Sequence, residues 1–144
     1  MEKNEVLAAV GPCGIHCGDC ELYKVKDDQA LLEALVARGL RRETLPCAGC
    51  RSVQGKCPVI GGTCRTYECI QQRGFDFCYD CPEFPCDKLN PAADRADILP
   101  HNLKVFNLSF IQKHGLDEFL KKAPEIKLKY YRGKMAIGWG PQVE

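Results

Sequence analysis

Apolar residues follow two regimes along this chain. Between Asp27 and Arg38, Leu31, Leu32, Leu35 and Val36 recur at helical spacing, with Asp27 or Asp28 placed to cap the start and Gly39 the end. From Cys47 to Cys86 periodicity is nearly absent, while glycines and prolines are frequent, so something other than a hydrophobic core must hold the stretch. Beyond it, Asn90-Pro91 reads as the cap and first residue of a short helix that Pro100 ends. Asn102 then caps a longer helix. Leu103, Phe106 and Phe110 mark one face, Val105, Leu108 and Ile111 widen it, and Gly115 stops it, an arc wide enough to predict burial on more than one side. Leu116, Phe119 and Leu120 predict a further amphipathic turn closed before Pro124. Ile126, Leu128 and Tyr130 alternate with Lys127 and Lys129, which is strand periodicity, and a hairpin through Arg132-Gly133 to Met135, Ile137 and Trp139 would complete it.

What fills the aperiodic stretch is cysteine. Eleven lie between Cys13 and Cys86, and none occurs in the 58 residues that follow. Cys17-Gly-Asp-Cys20, Cys47-Ala-Gly-Cys50 and Cys78-Tyr-Asp-Cys81 share the two-residue gap that lets both sulfurs of a tight turn face one tetrahedral ion. An odd cysteine total leaves any disulfide framework incomplete. With no apolar leader and no run of eighteen apolar residues, the expectation is a cytoplasmic protein, with no membrane span, whose thiols serve metal or redox chemistry.

The simplest accounting is two Zn(II) ions, one held by Cys17, Cys20, Cys47 and Cys50, the other by Cys64, Cys69, Cys78 and Cys81. Cys13, Cys57 and Cys86 are then left over, and interleaved partitions satisfy the spacings equally well. His16, between Cys13 and Cys17, reads as an exposed loop histidine more readily than as a twelfth ligand. Zinc is favoured over an iron-sulfur cluster because the pairs are scattered rather than packed into one motif. The contrary signal is Cys13-x3-Cys17-x2-Cys20, which resembles the cluster motif of radical S-adenosylmethionine enzymes, although Asp19 stands where those enzymes usually carry an aromatic residue. An iron-sulfur or dithiol redox protein is therefore the alternative. A leftover Cys13 or Cys86 would act as a nucleophile only beside a cation, base or helix N-terminus.

Taken in order, Cys13-Gly-Ile-His-Cys17-Gly-Asp-Cys20, Cys47-Ala-Gly-Cys50-Arg51, Cys64-x4-Cys69 and Phe77-Cys78-Tyr-Asp-Cys81-Pro-Glu-Phe-Pro-Cys86 resemble the domain-of-unknown-function family 3795. The resemblance spans roughly residues 11 to 122, including Asn102-Leu103 and Gly115-Leu116-x-x-Phe119-Leu120. It implies a cysteine-rich, mainly prokaryotic, zinc-binding protein and supplies no activity. His16 stands where the family more often has an aromatic residue, which makes histidine ligation peculiar to this chain.

The formal net charge is +1, and loading two Zn(II) on eight thiolates would bring it to −3. That argues against global attraction to nucleic acid. Locally, Lys113 to Lys134 holds seven Lys or Arg against three acids, with Tyr130 and Tyr131 among them. Such a run could contact a phosphate backbone and stack on bases, so nucleic-acid binding is a second alternative; the ordinary reading is a solvated face. Neither paired carboxylates nor a phosphate loop nor a nucleophile elbow appears. The expectation is thus a small α-rich metal-stabilised domain with little β, in one domain over 1–144. It comprises an irregular cysteine-rich, zinc-stapled lobe (11–86), a helical lobe (87–122) and a basic tail or hairpin (123–144), and acts as a binding module for a protein or small-molecule partner.

Overall fold

The computed structural model describes residues 2–89 and 102–132, together with the backbone of 135–136 and 140–141. It is helix-rich with few strands. Helices α1 (Lys3–Ala8), α2 (Glu21–Lys24), α3 (Gln29–Ala37) and α4 (Arg65–Arg73) belong to the cysteine-rich part, and α5 (Leu103–His114) and α6 (Leu116–Arg132) follow it. Two antiparallel pairs of two-residue strands complete the described elements, β1 (Lys56–Cys57) with β2 (Gly62–Thr63) and β3 (Met135–Ala136) with β4 (Gly140–Pro141). The short helix expected after Asn90-Pro91 lies outside the described residues.

Two helices start where their caps predict. Asp28 Oδ1 accepts from the Leu31 amide at 3.0 Å, and Asn102 Oδ1 accepts from the Val105 amide at 3.2 Å, each satisfying a donor that the first helical turn leaves without a partner. Gly115 ends α5 at φ +88. The other carboxamide atom of Asn102 donates to the Leu89 carbonyl, tying the start of α5 to the end of the cysteine-rich part.

Two expectations are corrected. The stretch from Cys47 to Cys86 contains α4, whose buried residues are Thr66 and Ile70 only, a single turn apart. One turn of buried residues is too little to register as periodicity. The strand expected over Ile126 to Tyr130 is instead the second half of α6, which runs through Pro124. Its buried residues Phe119, Ala123, Ile126 and Tyr130 step by four, three and four, which is helical spacing, and Leu128, which created the alternation, is 59% exposed. Pro124 removes one N–H from the ladder; the burial of Ala123, Ile126 and Tyr130 around it offsets that loss.

The main core draws on both parts of the chain. Val10, Ile70, Phe77, Cys78 and Leu89 pack with Leu103, Leu108 and Ile111 of α5 and with the buried face of α6. Val10, Leu108 and Phe119 are wholly enclosed, and enclosing a side chain the size of Phe119 contributes about 2 to 3 kcal/mol. Gly14 is the point of closest approach. At φ +87 it takes a left-handed conformation, and a Cβ there would lie 3.0 Å from Leu108 Cγ and 3.1 Å from the Lys104 carbonyl. Asn107 Nδ2 reaches back across the same contact to the Gly14 carbonyl at 2.8 Å. A smaller cluster of Leu22, Val25 and Leu35 lies under α2 and α3.

Candidate metal centre

The cysteine turns are built from main-chain hydrogen bonds. Cys17–Asp19 and Cys78–Asp80 form the same single 3-10 turn. In each, the second cysteine of the pair donates its amide to the carbonyl of the first, Cys20 to Cys17 at 3.1 Å and Cys81 to Cys78 at 3.2 Å. The first cysteine of each pair is buried and the second half-buried. The turns differ at their aspartates. Asp80 Oδ2 accepts from the Phe77 amide at 3.0 Å, closing its own turn, whereas Asp19 pairs with Lys24 and, at 3.5 Å, with Lys127 of α6. Burial raises the Asp19 carboxyl, and the Lys24 hydrogen bond and Lys127 charge outweigh it, leaving it below the usual carboxylate range. The third pair, Cys47-Ala-Gly-Cys50, turns through Gly49 at φ +100.

Amides of the cysteines also anchor these turns to the rest of the fold. Cys17 donates to Ala9, Cys47 to Leu22 and Cys64 to Gly55, each at 2.8 Å, and Cys78 donates to Pro12 at 3.0 Å. Arg51 adds a side-chain brace. Its Nε donates to the Val10 carbonyl at 2.8 Å, its Nη2 to the Asp76 carbonyl at 2.7 Å, and its guanidinium lies 4.9 Å from the Phe77 ring centre. The segment holding Cys50 is thereby joined to those preceding Cys13 and Cys78.

Four cysteines border one cavity. Cys69 of α4, Cys78, Cys81 and Cys86 line a space of about 20 Å³, room for one water or one ion, and no carboxylate lines it. The two-site partition drawn from spacing differs here, since Cys86 lines this cavity and Cys64 does not. Burial, and then the charges of Cys13, Cys86, Cys69 and Cys81, push the Cys78 thiol up to about 12. Arg73, in the cavity wall, contacts another of these sulfurs. Its Nη1 donates to Cys81 Sγ at 3.1 Å, and its Nη2 pairs with Glu83.

A second group gathers around Gly11. A Cβ at Gly11 would lie 3.5 Å from Cys50 Sγ and 3.7 Å from Cys13 Sγ, and the Cys50 amide donates to Cys17 Sγ at 3.5 Å. The Cys50 thiol donating to Cys17 lowers the Cys17 thiol and raises its own. Cys20, Cys47 and Cys57 pack instead against the Leu22, Val25 and Leu35 cluster. Among the described residues, no three His, Cys, Asp or Glu side chains converge as they stand into a cage for an ion. What fits zinc is the donor chemistry: four cysteines lining one small, part-open space, with Cys86 on its exposed side, a cation beside them and no competing carboxylate.

His16 is not the exposed loop residue expected. Its Nδ1 is buried without a hydrogen-bond partner, its ring stands edge-on to Phe119 at 6.3 Å, and burial lowers its pKa. The basic segment is engaged internally at several points. Lys121 pairs with Glu118 at 3.4 Å, Lys122 and Lys129 with Glu125 at 3.5 and 3.1 Å, and Lys127 with Asp19. Reading the sequence missed the roles of Arg51 and Arg73. For Arg73 a signal existed, since it stands four residues after Cys69 and so shares its helical face.

The model of a family described as a protein of unknown function, DUF3795, matches residues 9–91. That span includes all eleven cysteines and ends before α5, short of the reach to residue 122 that the motifs implied. No curated protein and no solved structure matches the chain. Among the described residues, no helix is long and apolar enough to cross a membrane.

Proposed function

This chain belongs to the DUF3795 family, whose description assigns no activity, and we propose that it is a cytoplasmic zinc-binding protein whose metal is structural and which serves as a binding module for another molecule. The observation that carries this reading is the gathering of Cys69, Cys78, Cys81 and Cys86 around one cavity of about 20 Å³. Zinc held by four thiolates has a closed coordination sphere and supplies folding free energy rather than an activated water. Four thiolates around a divalent ion carry a net charge of −2, and Arg73 and Lys88 in the cavity wall offset it. A second ion would draw on the other thiols, among them Cys13 and Cys50 beside Gly11 and Cys17 in contact with Cys50.

Elemental analysis and a visible spectrum of protein purified without oxygen or chelator test the reading. About two zinc per chain and no colour are expected, because zinc has no ligand-field absorption. Iron with sulfide absorption would contradict it and favour a cluster protein.

One observation favours a second reading, a dithiol that exchanges. Cys17 and Cys50 are in hydrogen-bond contact, with Arg51 adjacent in sequence and supplying positive charge near Cys17. Quantitative labelling after mild oxidation separates the two: a Cys17–Cys50 disulfide that forms and is reduced reversibly without metal loss would support exchange. The nucleic-acid reading has less support, since Lys121, Lys122, Lys127 and Lys129 are each paired within the chain.

A further inference from the structure

We propose that Arg73 is a positioning residue of the candidate metal centre, fixing the Cys81 sulfur in the direction of the ion. This rests on the metal-binding reading above. Arg73 Nη1 lies 3.1 Å from Cys81 Sγ, and its Nη2 pairs with Glu83, so one guanidinium spans a candidate ligand and the loop that carries the next one, Cys86. The same helix face supplies both parties. α4 presents Cys69 to the cavity and, one turn on, Arg73 to the wall of that cavity.

The chemistry selects arginine. A guanidinium does not lose its proton in a protein, so it remains a donor and a full positive charge at any working pH, and its planar fork serves two acceptors at once. A donor to a ligating sulfur fixes the direction of the lone pair that meets the metal, draws charge off the sulfur and blunts its nucleophilicity. A surface ion pair with Glu83 alone would do none of this. The Arg73 side chain is 40% exposed, which places the expected effect at the lower end of what partners of metal ligands contribute, about tenfold in affinity.

The test uses the full chain loaded with zinc, with the metal titrated off by a chromophoric chelator at fixed pH. In Arg73→Met, which retains an apolar stem, zinc affinity falls about tenfold. Cys81 is alkylated faster, and the sulfur-to-metal charge-transfer band of the cobalt-substituted protein shifts. Glu83→Gln, which removes the ion pair and leaves the sulfur contact, changes affinity by less than about threefold. Arg73→Lys, which keeps the charge without the fork, falls between wild type and Arg73→Met, and serves in its place if circular dichroism shows that Arg73→Met does not fold. Wild-type affinity, alkylation rate and cobalt spectrum in both arginine variants, with metal lost in Cys81→Ser, would overturn the role of Arg73 while leaving the centre in place. Wild-type metal content retained in Cys81→Ser would overturn the centre itself, and this role with it.

Discussion

The cysteine-rich part and the pair α5 and α6 share one core but reach it by different means. In α5 and α6, positions are set by apolar spacing: Leu108, Phe119 and Ile126 are enclosed because they recur on the inner faces of two helices. In residues 9–89, positions are set by turns, by main-chain bonds from cysteine amides and by the Arg51 brace, with enclosed apolar residues such as Val10, Ile70 and Phe77 spread more thinly along the chain. The first kind of order needs no ligand. The second leaves eleven thiols, two of them buried, without disulfide partners, and the proposed ion would convert that arrangement into stabilising free energy.

Removing metal therefore separates the two parts most sharply. With strong chelator, the apparent binding free energy lost is on the order of 10 kcal/mol per structural zinc, and hydrogen exchange should accelerate first at the amides of residues 64–86 and last in α5 and α6. Phe119→Ala acts from the other side. It should cost about 3 to 5 kcal/mol in chemical denaturation, with zinc content unchanged in the fraction that remains folded. Gly14→Ala strikes the seam, where a Cβ meets Leu108 and the left-handed backbone is unfavourable, and should cost about 2 to 3 kcal/mol. Arg51→Met removes charge-assisted bonds to the Val10 and Asp76 carbonyls and should cost about 2 kcal/mol, visible as a lower denaturation midpoint with an unchanged slope. Leu128→Lys should change stability by less than about 0.5 kcal/mol, because that side chain lies on the outer face of α6; a loss like that of a core leucine would restore the strand reading of this segment.

The same division governs what could be read from the sequence. The starts of α3 and α5 were legible because Asp28 and Asn102 are side-chain caps followed by apolar residues at helical spacing. The end of α6 was not, because Pro124 looked like a stop and Leu128 mimicked alternation; only packing on Phe119, Ala123 and Tyr130 decides for helix. α4 was hidden by having just Thr66 and Ile70 buried. At the candidate centre, the cysteine types and the turns of the Cys-x-x-Cys pairs were legible, since a two-residue gap constrains the local backbone. Which pairs face one cavity was not, because it depends on where α4 and the 81–86 loop are placed by contacts far away in sequence. That is how Cys86, set aside on spacing, comes to line the cavity that Cys64 does not. Asn107 carried a signal that went unused: a polar residue amid the apolar residues of α5 implies a buried acceptor, which is the Gly14 carbonyl.

The central claim, that Cys69, Cys78, Cys81 and Cys86 hold one structural ion, is tested most directly by X-ray absorption at the zinc edge, comparing wild type with Cys86→Ser and Cys64→Ser. The account predicts four sulfurs at about 2.3 Å in wild type, a sulfur lost from the first shell or the ion lost altogether in Cys86→Ser, and no change at that centre in Cys64→Ser. A wild-type first shell dominated by nitrogen or oxygen, or a Cys86→Ser spectrum and zinc content identical to wild type, would contradict it.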